Sequence, residues 1–242
     1  MTDAKIRLYL DHALQEGQCV ALNRDQAQYL FKVMRQPVGA AILVFNGRDG
    51  EWFAKITDAS KRSGQLSIER QTRLQKNPPD LWLLFAPIKK ARTDFIVEKA
   101  AELGAARIQP VQTEFTNAER IRQDRLQAHA VEAAEQCGGT FVPEVGELAK
   151  LGKMLADWPS NRQLMICDET TAGESRILPV SGRGQPWAIL IGPEGGFSEN
   201  ERATLRALST AHIVSLGPRI LRADTAAVAA LTLWQSALGD WA

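Results

Sequence analysis

Two stretches near the C-terminal end decide the fold: Trp187-Ala-Ile-Leu-Ile-Gly-Pro-Glu-Gly-Gly-Phe-Ser-Glu-Asn-Glu201 and His212-Ile-Val-Ser-Leu-Gly-Pro-Arg-Ile-Leu-Arg-Ala-Asp-Thr-Ala226. Each begins as an apolar strand, turns at Gly-Pro, continues as a loop and leads into a helical pattern. Strands that are apolar throughout are typical of parallel sheets covered on both faces. Two such units predict an open α/β sheet with loops at the carboxyl ends of its strands.

The same alternation of strands and helices extends over residues 76–242, for which we expect one α/β domain. Ser198 and Glu201 form a capping-box pattern that predicts where one of the helices begins. The predicted strands are Leu81–Ala86, Arg107–Gln112, Leu164–Cys167, Trp187–Ile191 and His212–Leu216. The predicted helices are Thr93–Leu103, Glu119–Cys137, Glu199–Leu208 and Asp224–Leu238.

Residues 1–75 show a different pattern, typical of a small β-barrel with one helix. The predicted strands are Lys5–Leu10, Ala41–Phe45, Trp52–Ile56 and Gln65–Glu69. One helix is predicted from Arg24 to Arg35, because Asn23 is a favourable N-cap. The polar segment Gln75-Lys-Asn-Pro-Pro-Asp80 predicts the domain boundary. Residues 1–75 carry 11 Lys and Arg against 8 Asp and Glu, which favours a polyanionic partner there.

Composition narrows the class of protein. The chain has 242 residues, of which 45% are apolar, enough for a full core. It lacks an apolar run of membrane-spanning length and a signal-peptide pattern, so we expect a soluble, cytoplasmic protein with no membrane partner. The spacing of Cys19, Cys137 and Cys167 matches no zinc pattern. We interpret these cysteines as small buried side chains and expect no metal site.

The two Gly-Pro loops predict a pre-formed pocket at the sheet edge. Gly192-Pro-Glu-Gly-Gly196 and Gly217-Pro218 combine glycines, which permit close backbone approach, with prolines, which stiffen the loops. Such a pocket, built from backbone, suits an adenosine-bearing cofactor. The sequence contains no dinucleotide fingerprint, no phosphate loop and no hydrolase nucleophile elbow. Taken alone, the first loop is more typical of a plain strand–helix turn.

The motifs Ile191-Gly-Pro-Glu-Gly-Gly-Phe197 and Ser215-Leu-Gly-Pro-Arg-Ile-Leu-Arg-Ala-Asp-Thr-Ala226 closely resemble those of SPOUT-class methyltransferases that act on uracil N3 of 16S ribosomal RNA. Weaker matches are Tyr29–Arg35, Phe45–Gly47, Glu98–Gly104 and Glu135–Gly138. The resemblance implies a trefoil-knotted C-terminal α/β domain and a PUA-like, RNA-binding N-terminal barrel. It also implies S-adenosylmethionine as cofactor, a homodimer, and 16S ribosomal RNA or the small ribosomal subunit as substrate.

The resemblance, together with the positions of charged side chains, gives a candidate site. Arg222 and Glu194 are the candidate catalytic residues: Arg222 would stabilise charge on the uracil, and Glu194 would orient the base or the cofactor amine. The candidate cofactor-binding residues are Ile191, Gly192, Pro193, Glu194, Gly195, Leu216, Gly217, Ile220, Leu221 and Thr225. The candidate RNA-binding residues are Arg7, Arg24, Lys32, Arg35, Lys89, Lys90 and Arg92.

Structural alternatives exist for several of these residues. Arg222 could form a salt bridge with Asp224, Glu194 could be a carboxylate favoured by a helix N-terminus, and Asp224 is expected to be an N-cap. The lysines and arginines could be solvated surface. Trp187, Trp234 and Trp241 are interpreted as core or interface side chains.

The sequence also departs from the family pattern at several positions. Glu98 stands where the family usually has glutamine, and Phe115 and Gly139 stand where arginine is common; the two lost arginines put individual RNA contacts in question, but not the cofactor pocket. Two alternatives to uracil-N3 methylation stay open. One is a SPOUT methyltransferase acting on transfer RNA or on ribose 2′-hydroxyls, and the other is a non-catalytic RNA-binding protein of ribosome assembly.

Overall fold

A computed structural model describes residues 4–60, 62–118, 120–173 and 183–242. The chain divides into two compact units. The first comprises Met1–Asn77 with Ala134–Val142, and the second comprises Pro78–Ala133 with Pro143–Ala242. Glu119, where the sequence predicts a helix to begin, lies outside the described residues.

The first unit is built on a five-stranded sheet. The strands are β1 Arg7–Tyr9, β2 Cys19–Leu22, β3 Ala41–Phe45, β4 Glu51–Ala59 and β5 Gly64–Arg73, in the spatial order β1-β3-β4-β5-β2. Only the β1–β3 pair is parallel among these neighbours. The buried side chains include Leu10, Leu30, Ile42, Ile56, Leu66 and Ile68, which form the core of this unit.

The helix of the first unit begins as predicted and ends differently. Helix α1, Arg24–Gln28, starts after Asn23, which forms a capping box with Gln26. The chain then continues as a short π-helix over Tyr29–Val33. Arg35 follows with φ of 52°, a left-handed conformation that is uncommon for a residue with a side chain. The predicted single helix up to Arg35 is therefore an α-turn followed by a wider, irregular segment.

The second unit is a parallel sheet with helices. Its strands are β6 Leu81–Phe85, β7 Arg107–Gln112, β8 Glu144–Val145, β9 Ala149–Lys150, β10 Gln163–Cys167, β11 Trp187–Ile191 and β12 Ala211–Ile213. The order across the sheet is β12-β10-β11-β6-β7-β8, and β9 pairs with β7. Strand β11 is buried at all five positions, as its apolar sequence predicts for a central parallel strand.

The helices of the second unit are α2 Lys90–Glu102, α3 Gln123–Cys137, α4 Leu151–Ala156, α5 Glu199–Ala207 and α6 Ala223–Leu238; the last turn of α3 belongs to the first unit. Helix α5 starts at the predicted capping box, in which Ser198 and Glu201 each accept a hydrogen bond from the other's backbone amide. Helix α6 packs against α2 and β11. Among the helices of the described ranges, none has both the length and the apolar character needed to cross a membrane.

Two interpretations of the sequence, one of the cysteines and one of Asp224, are wrong. Cys19 and Cys137 are exposed, so they are not buried packing residues; only Cys167 is partly covered. Asp224 is not the N-cap of α6, because the helix begins at Ala223 and Arg222 occupies the N-cap position. Trp187 and Trp234 are core residues as expected, whereas Trp241 is exposed.

Candidate functional site

Three loops converge on one cavity at the carboxyl edge of the parallel sheet. They follow β10, β11 and β12, and these three strands are neighbours in the order β12-β10-β11. The cavity has a volume of about 210 Å³. Its lining is Cys167, Asp168, Glu169, Ala172, Ile191, Gly192, Pro193, Glu194, Val214, Leu216, Gly217, Arg219, Ile220, Leu221, Arg222, Ala223 and Ala226. The cavity therefore occupies the place where open α/β sheets bind their ligands.

Backbone hydrogen bonds hold these loops. The amide of Gly173 donates to the carbonyl of Gly217 at 3.0 Å, which joins the loop after β10 to the loop after β12. Within the loop after β11, the amide of Gly196 donates to the carbonyl of Pro193 at 3.0 Å. The amide of Val214 donates to Ile166 at 2.9 Å and extends the pairing of β12 with β10. Much of the cavity wall is thus fixed by backbone rather than by side-chain contacts.

A buried ion pair ties the loop after β10 to helix α5. Arg202 donates to the Asp168 carboxylate at 3.0 Å and to Glu169 at 3.1 Å, and the Asp168 side chain is 4% exposed. Burial alone would lower the pKa of Arg202, but the hydrogen bond and the negative charge of Asp168 outweigh it and raise the pKa above its ordinary value. The guanidinium therefore stays charged and keeps this side of the cavity in place.

Glycine conformation differs between the two glycines of the Gly-Gly pair. Within the Gly195-Gly196 pair, Gly196 has φ of 68°, in the left-handed half of backbone space. Gly217, in the loop after β12, also lies in that half, with φ of 113°. A Cβ at Gly196 would lie 1.8 Å from Oε1 of Glu169. Gly195 has no positive φ and is not part of the cavity lining; a Cβ there would meet Phe115 at 3.3 Å. The special conformation thus belongs to Gly196 rather than to Gly195.

The cavity mouth carries a group of charges. Arg92, in the first turn of α2, approaches Glu194 at 4.0 Å and Asp224 at 3.6 Å. Arg222 is exposed and lines the cavity, and its side chain forms neither a hydrogen bond nor an ion pair with the described residues. The salt bridge considered between Arg222 and Asp224 is therefore not formed, because Asp224 faces Arg92 instead. Arg219 and Arg222 both line the cavity and are exposed, so both cations have side chains available to a ligand.

The predicted cofactor-binding residues are brought together with two exceptions. Ile191, Gly192, Pro193, Glu194, Leu216, Gly217, Ile220 and Leu221 line the cavity, whereas Gly195 and Thr225 lie outside its lining. Ile220 is 73% exposed, an unusual position for an apolar side chain at the edge of a cavity. Sequence analysis missed Cys167, the last residue of a predicted strand, and Asp168, Glu169 and Ala172, which follow that strand at the same sheet edge.

One of these missed residues has a strongly shifted protonation equilibrium. Burial raises the pKa of the Cys167 thiol to about 12. The thiol is neutral at physiological pH, so it is a poor nucleophile and serves as part of the cavity wall. No cluster of His, Cys, Asp and Glu in the described ranges is arranged to hold a metal ion.

The structure separates the predicted RNA-binding residues into different environments. Arg24, Lys32 and Arg35 are exposed in the first unit, and Lys89 and Lys90 are exposed in the second. Arg92 faces the carboxylates at the cavity mouth. The structure gives Arg7 a different role from the predicted RNA contact. Its side chain is 11% exposed and donates to Glu51 and to the carbonyls of Ala134, Glu135 and Gly139. All its guanidinium nitrogens are engaged, so Arg7 is a structural residue.

Comparison with known proteins identifies the protein family to which the chain belongs. Residues 75–235 match the family described as RNA methyltransferase domain, and residues 22–69 match the RNA methyltransferase PUA domain. The first match spans more than half of the chain and includes the cavity of the second unit as far as Ala226. The chain therefore belongs to the RNA methyltransferase family.

Individual relatives narrow the comparison further. The chain is 29% identical to ribosomal RNA small subunit methyltransferase E of Rickettsia conorii, over 93% of each chain. It is 30% identical to the protein of the same name from Synechocystis, over 88% of this chain and 71% of that one. The fold matches the crystal structure of a ribosomal RNA small subunit methyltransferase E from Neisseria gonorrhoeae bound to S-adenosyl methionine. That match has a TM-score of 0.88 at 29% identity and covers 98% of this chain and 99% of the other.

Proposed function

We propose that this protein transfers a methyl group from S-adenosylmethionine to uracil N3 of a uridine in 16S ribosomal RNA. The observation that carries the proposal is the cavity built by three loops at the carboxyl ends of β10, β11 and β12. It is supported by the similarity to the Neisseria gonorrhoeae enzyme with its bound S-adenosyl methionine. The uracil-N3 specificity rests on the two sequence motifs at Ile191–Phe197 and Ser215–Ala226.

The residues present fit this cofactor. Gly217 lines the cavity, and the position that its Cβ would occupy has no atom within 4 Å, so backbone is accessible where an adenosine would lie. Ile191, Leu216 and Leu221 supply an apolar wall. Glu194 provides a carboxylate for a cationic ligand. We assign the holding of the cofactor to these loops, and Gly195 and Thr225 to their support.

Bound S-adenosylmethionine would supply an electrophilic methyl group, so the protein itself has mainly to position the uracil. Uracil N3 carries a proton and becomes nucleophilic once that proton leaves. The negative charge that remains is shared with the flanking oxygens. A guanidinium placed near those oxygens stabilises this charge, and Arg222 lines the cavity with a side chain that pairs with none of the described residues.

Arg92 is assigned to the two carboxylates at the cavity mouth, of which Glu194 is one. Its carboxylate lies 4.0 Å from Nη1 of Arg92, and Arg92 also approaches Asp224 at 3.6 Å. Arg92 thereby balances the acidic side of the mouth and leaves Arg222 for the substrate. We assign Arg92 to the orientation of Glu194, with RNA contact as its alternative.

The wider setting of the reaction is also part of the proposal. The first unit binds RNA through exposed Arg24, Lys32 and Arg35, in keeping with its match to a PUA domain. The family resemblance further implies a homodimer, a trefoil knot around the loop after β12, and a cytoplasmic location where small ribosomal subunits are made. Lys89 and Lys90 are the proposed RNA contacts near the cavity.

Calorimetric titration of the purified protein with S-adenosylmethionine tests the first part of the proposal. We expect saturable binding with one site per chain. Methylation of 16S RNA, free or in small subunits, tests the second part when the product nucleosides are identified by mass spectrometry. Cofactor binding without methylation of 16S RNA would favour transfer RNA or ribose 2′-hydroxyls as the target, and absent cofactor binding would favour a non-catalytic RNA-binding protein.

A further inference from the structure

A second, larger cavity lies in the same unit and is bordered by basic side chains. It has a volume of about 510 Å³ and forms a groove between the first turn of α2 and the segment that leads into α3. The basic side chains are Lys90, Arg120, Arg122 and Arg125. The remaining lining is Pro87, Ile88, Thr93, Ala118, Ile121 and Leu126. The groove thus combines a mainly apolar floor with a rim of four cations.

The charges of the groove are only partly neutralised. Arg122 binds Asp124 with two hydrogen bonds of 2.9 and 2.7 Å, and Arg125 binds Asp94 at 2.6 Å. Lys90 and Arg120 are exposed and form no ion pair with any described residue. Both Arg122 and Asp124 are more than half exposed, so their pair is open to competition from another anion. An extended polyanion would meet two cations that pair with no described residue, Lys90 and Arg120, and a third, Arg122, that it can recruit.

The groove follows β6 and β7, which lie next to β11 in the sheet, and contacts of neighbouring residues link these loops to those of the proposed methylation site. Lys90 belongs to the same helical turn as Arg92, which approaches Glu194 and Asp224 at the cavity mouth. On the other side, the amide of Glu114 donates to Oε1 of Glu201 at 2.9 Å. Phe115 is 44% exposed and lies against Gly195. The groove and the cavity are therefore neighbours along one edge of the sheet.

We propose that this groove binds the phosphate backbone of the single-stranded RNA next to the target nucleotide. The inference rests on the proposed function and adds a binding surface to it. Arginine suits this task because its planar guanidinium forms paired hydrogen bonds with phosphate oxygens. An exposed aromatic ring beside the cavity, Phe115, offers a face on which an unpaired base can stack. A phosphate backbone satisfies the rim cations, whereas an apolar protein partner would leave them unpaired.

The expected loss of RNA affinity when a groove cation is removed follows from counterion release. Each phosphate contact on single-stranded nucleic acid contributes about 0.7 to the slope of log affinity against log salt concentration. At about 0.15 M salt, that slope corresponds to roughly fourfold in affinity for each contact. The double variant Arg120→Ala/Arg122→Ala should therefore bind RNA on the order of tenfold more weakly and show a slope lower by about 1.4.

Asp124→Asn provides a test in the opposite direction. It removes the negative charge that occupies Arg122 and thereby raises the net charge of the groove by one, so RNA binding should become up to about fourfold tighter. The matched control is Lys153→Ala/Arg206→Ala, which removes two exposed cations of the same unit that line neither cavity. The control should leave both the affinity and the salt slope close to those of the unchanged protein.

The measurement is fluorescence-anisotropy titration of a labelled 16S RNA fragment at several salt concentrations, with the full chain. Thermal unfolding and titration with S-adenosylmethionine establish that each variant is folded and binds cofactor. Affinity and slope unchanged in Arg120→Ala/Arg122→Ala, or reduced equally in the control, would overturn the groove assignment; so would unchanged or weaker binding by Asp124→Asn. Methylation of 16S RNA by the unchanged protein is scored separately, so failure of the proposed function is distinguishable from failure of the groove.

Discussion

Replacement of Gly196 by alanine tests the physical basis of the loop after β11. Gly196 has φ of 68°, and its backbone amide donates to the carbonyl of Pro193. An alanine in this left-handed conformation costs about 1–2 kcal/mol because its Cβ crowds the following carbonyl oxygen. In addition, the new Cβ would stand 1.8 Å from Oε1 of Glu169, so this carboxylate must move.

The second part of the cost is limited by the exposure of Glu169. Its side chain is 34% exposed and can turn towards solvent, at the loss of its 3.1 Å contact with Arg202. Partly exposed ion pairs contribute about 0–1 kcal/mol, and Arg202 keeps its bond to Asp168. The free energy of unfolding should therefore fall by about 1–3 kcal/mol for Gly196→Ala. For a chain of this size, 2 kcal/mol corresponds to a Tm lower by roughly 4–8 °C.

Two other glycines separate the contributions. Gly217→Ala carries the strain of a positive φ, but its Cβ would have no atom within 4 Å, so we expect a loss of about 1–2 kcal/mol. Gly152 lies in α4 without a positive φ or a neighbour within 4 Å, and Gly152→Ala should be neutral or stabilising by up to about 1 kcal/mol. Urea unfolding and thermal unfolding of the three variants give the comparison. If Gly196→Ala is as stable as Gly152→Ala, the left-handed loop and its contact with Glu169 are not as described.

Further predictions concern catalysis, RNA binding and pH. Arg222→Ala should lower turnover on the order of 100-fold with cofactor affinity nearly unchanged, and Arg222→Lys should restore it only in part; a sharp fall in Tm would instead assign Arg222 a structural role. Arg24→Glu/Arg35→Glu should weaken binding of 16S RNA and flatten its salt dependence, and an unaltered salt slope would show that these arginines are only solvated surface. Burial alone would raise the pKa of Glu51, but hydrogen bonds from Arg73, Arg7 and Thr72 outweigh it and lower the pKa below 4.5. Because the folded-state pKa is the lower one, Glu51 stabilises the protein above pH 4.5, and this stabilisation is lost as the pH falls through the folded-state pKa. The difference in unfolding free energy between the unchanged protein and Glu51→Gln should thus shrink from pH 7 to pH 3, and a constant difference would contradict the charged role of Glu51.

Local chemistry made part of the fold predictable. Strand β11 is apolar at every position, and Ser198 with Glu201 marks the start of α5, so both were expected where they lie. The two Gly-Pro loops indicated the site because parallel strands end at a common edge. Strand β2, Cys19–Leu22, was missed because it is only four residues long, and its pairing with β5 depends on residues far along the chain.

The parts of the site that could not be predicted depend on contacts between residues that lie far apart in the sequence. Asp168 and Arg202 are 34 residues apart, and their ion pair exists only because β10 and α5 meet at the sheet edge. Likewise, Arg7 is an ordinary basic residue in the sequence and becomes structural through carbonyls more than 120 residues away. Gly195 and Gly196 are chemically identical, so only the folded backbone distinguishes which of them adopts the positive φ.

The activity proposed for the cavity at the ends of β10, β11 and β12 is methylation of uracil N3 of 16S ribosomal RNA. The most direct measurement is mass-spectrometric mapping of methylated nucleotides in 16S RNA from cells that lack the gene, from cells that carry it and from cells that carry Arg222→Ala. We predict one 3-methyluridine that is absent without the gene, returns with the unchanged protein and stays largely absent with the variant. An unchanged set of 16S methylations in the deletion strain, or the loss of a ribose or transfer-RNA methyl group instead, would contradict it.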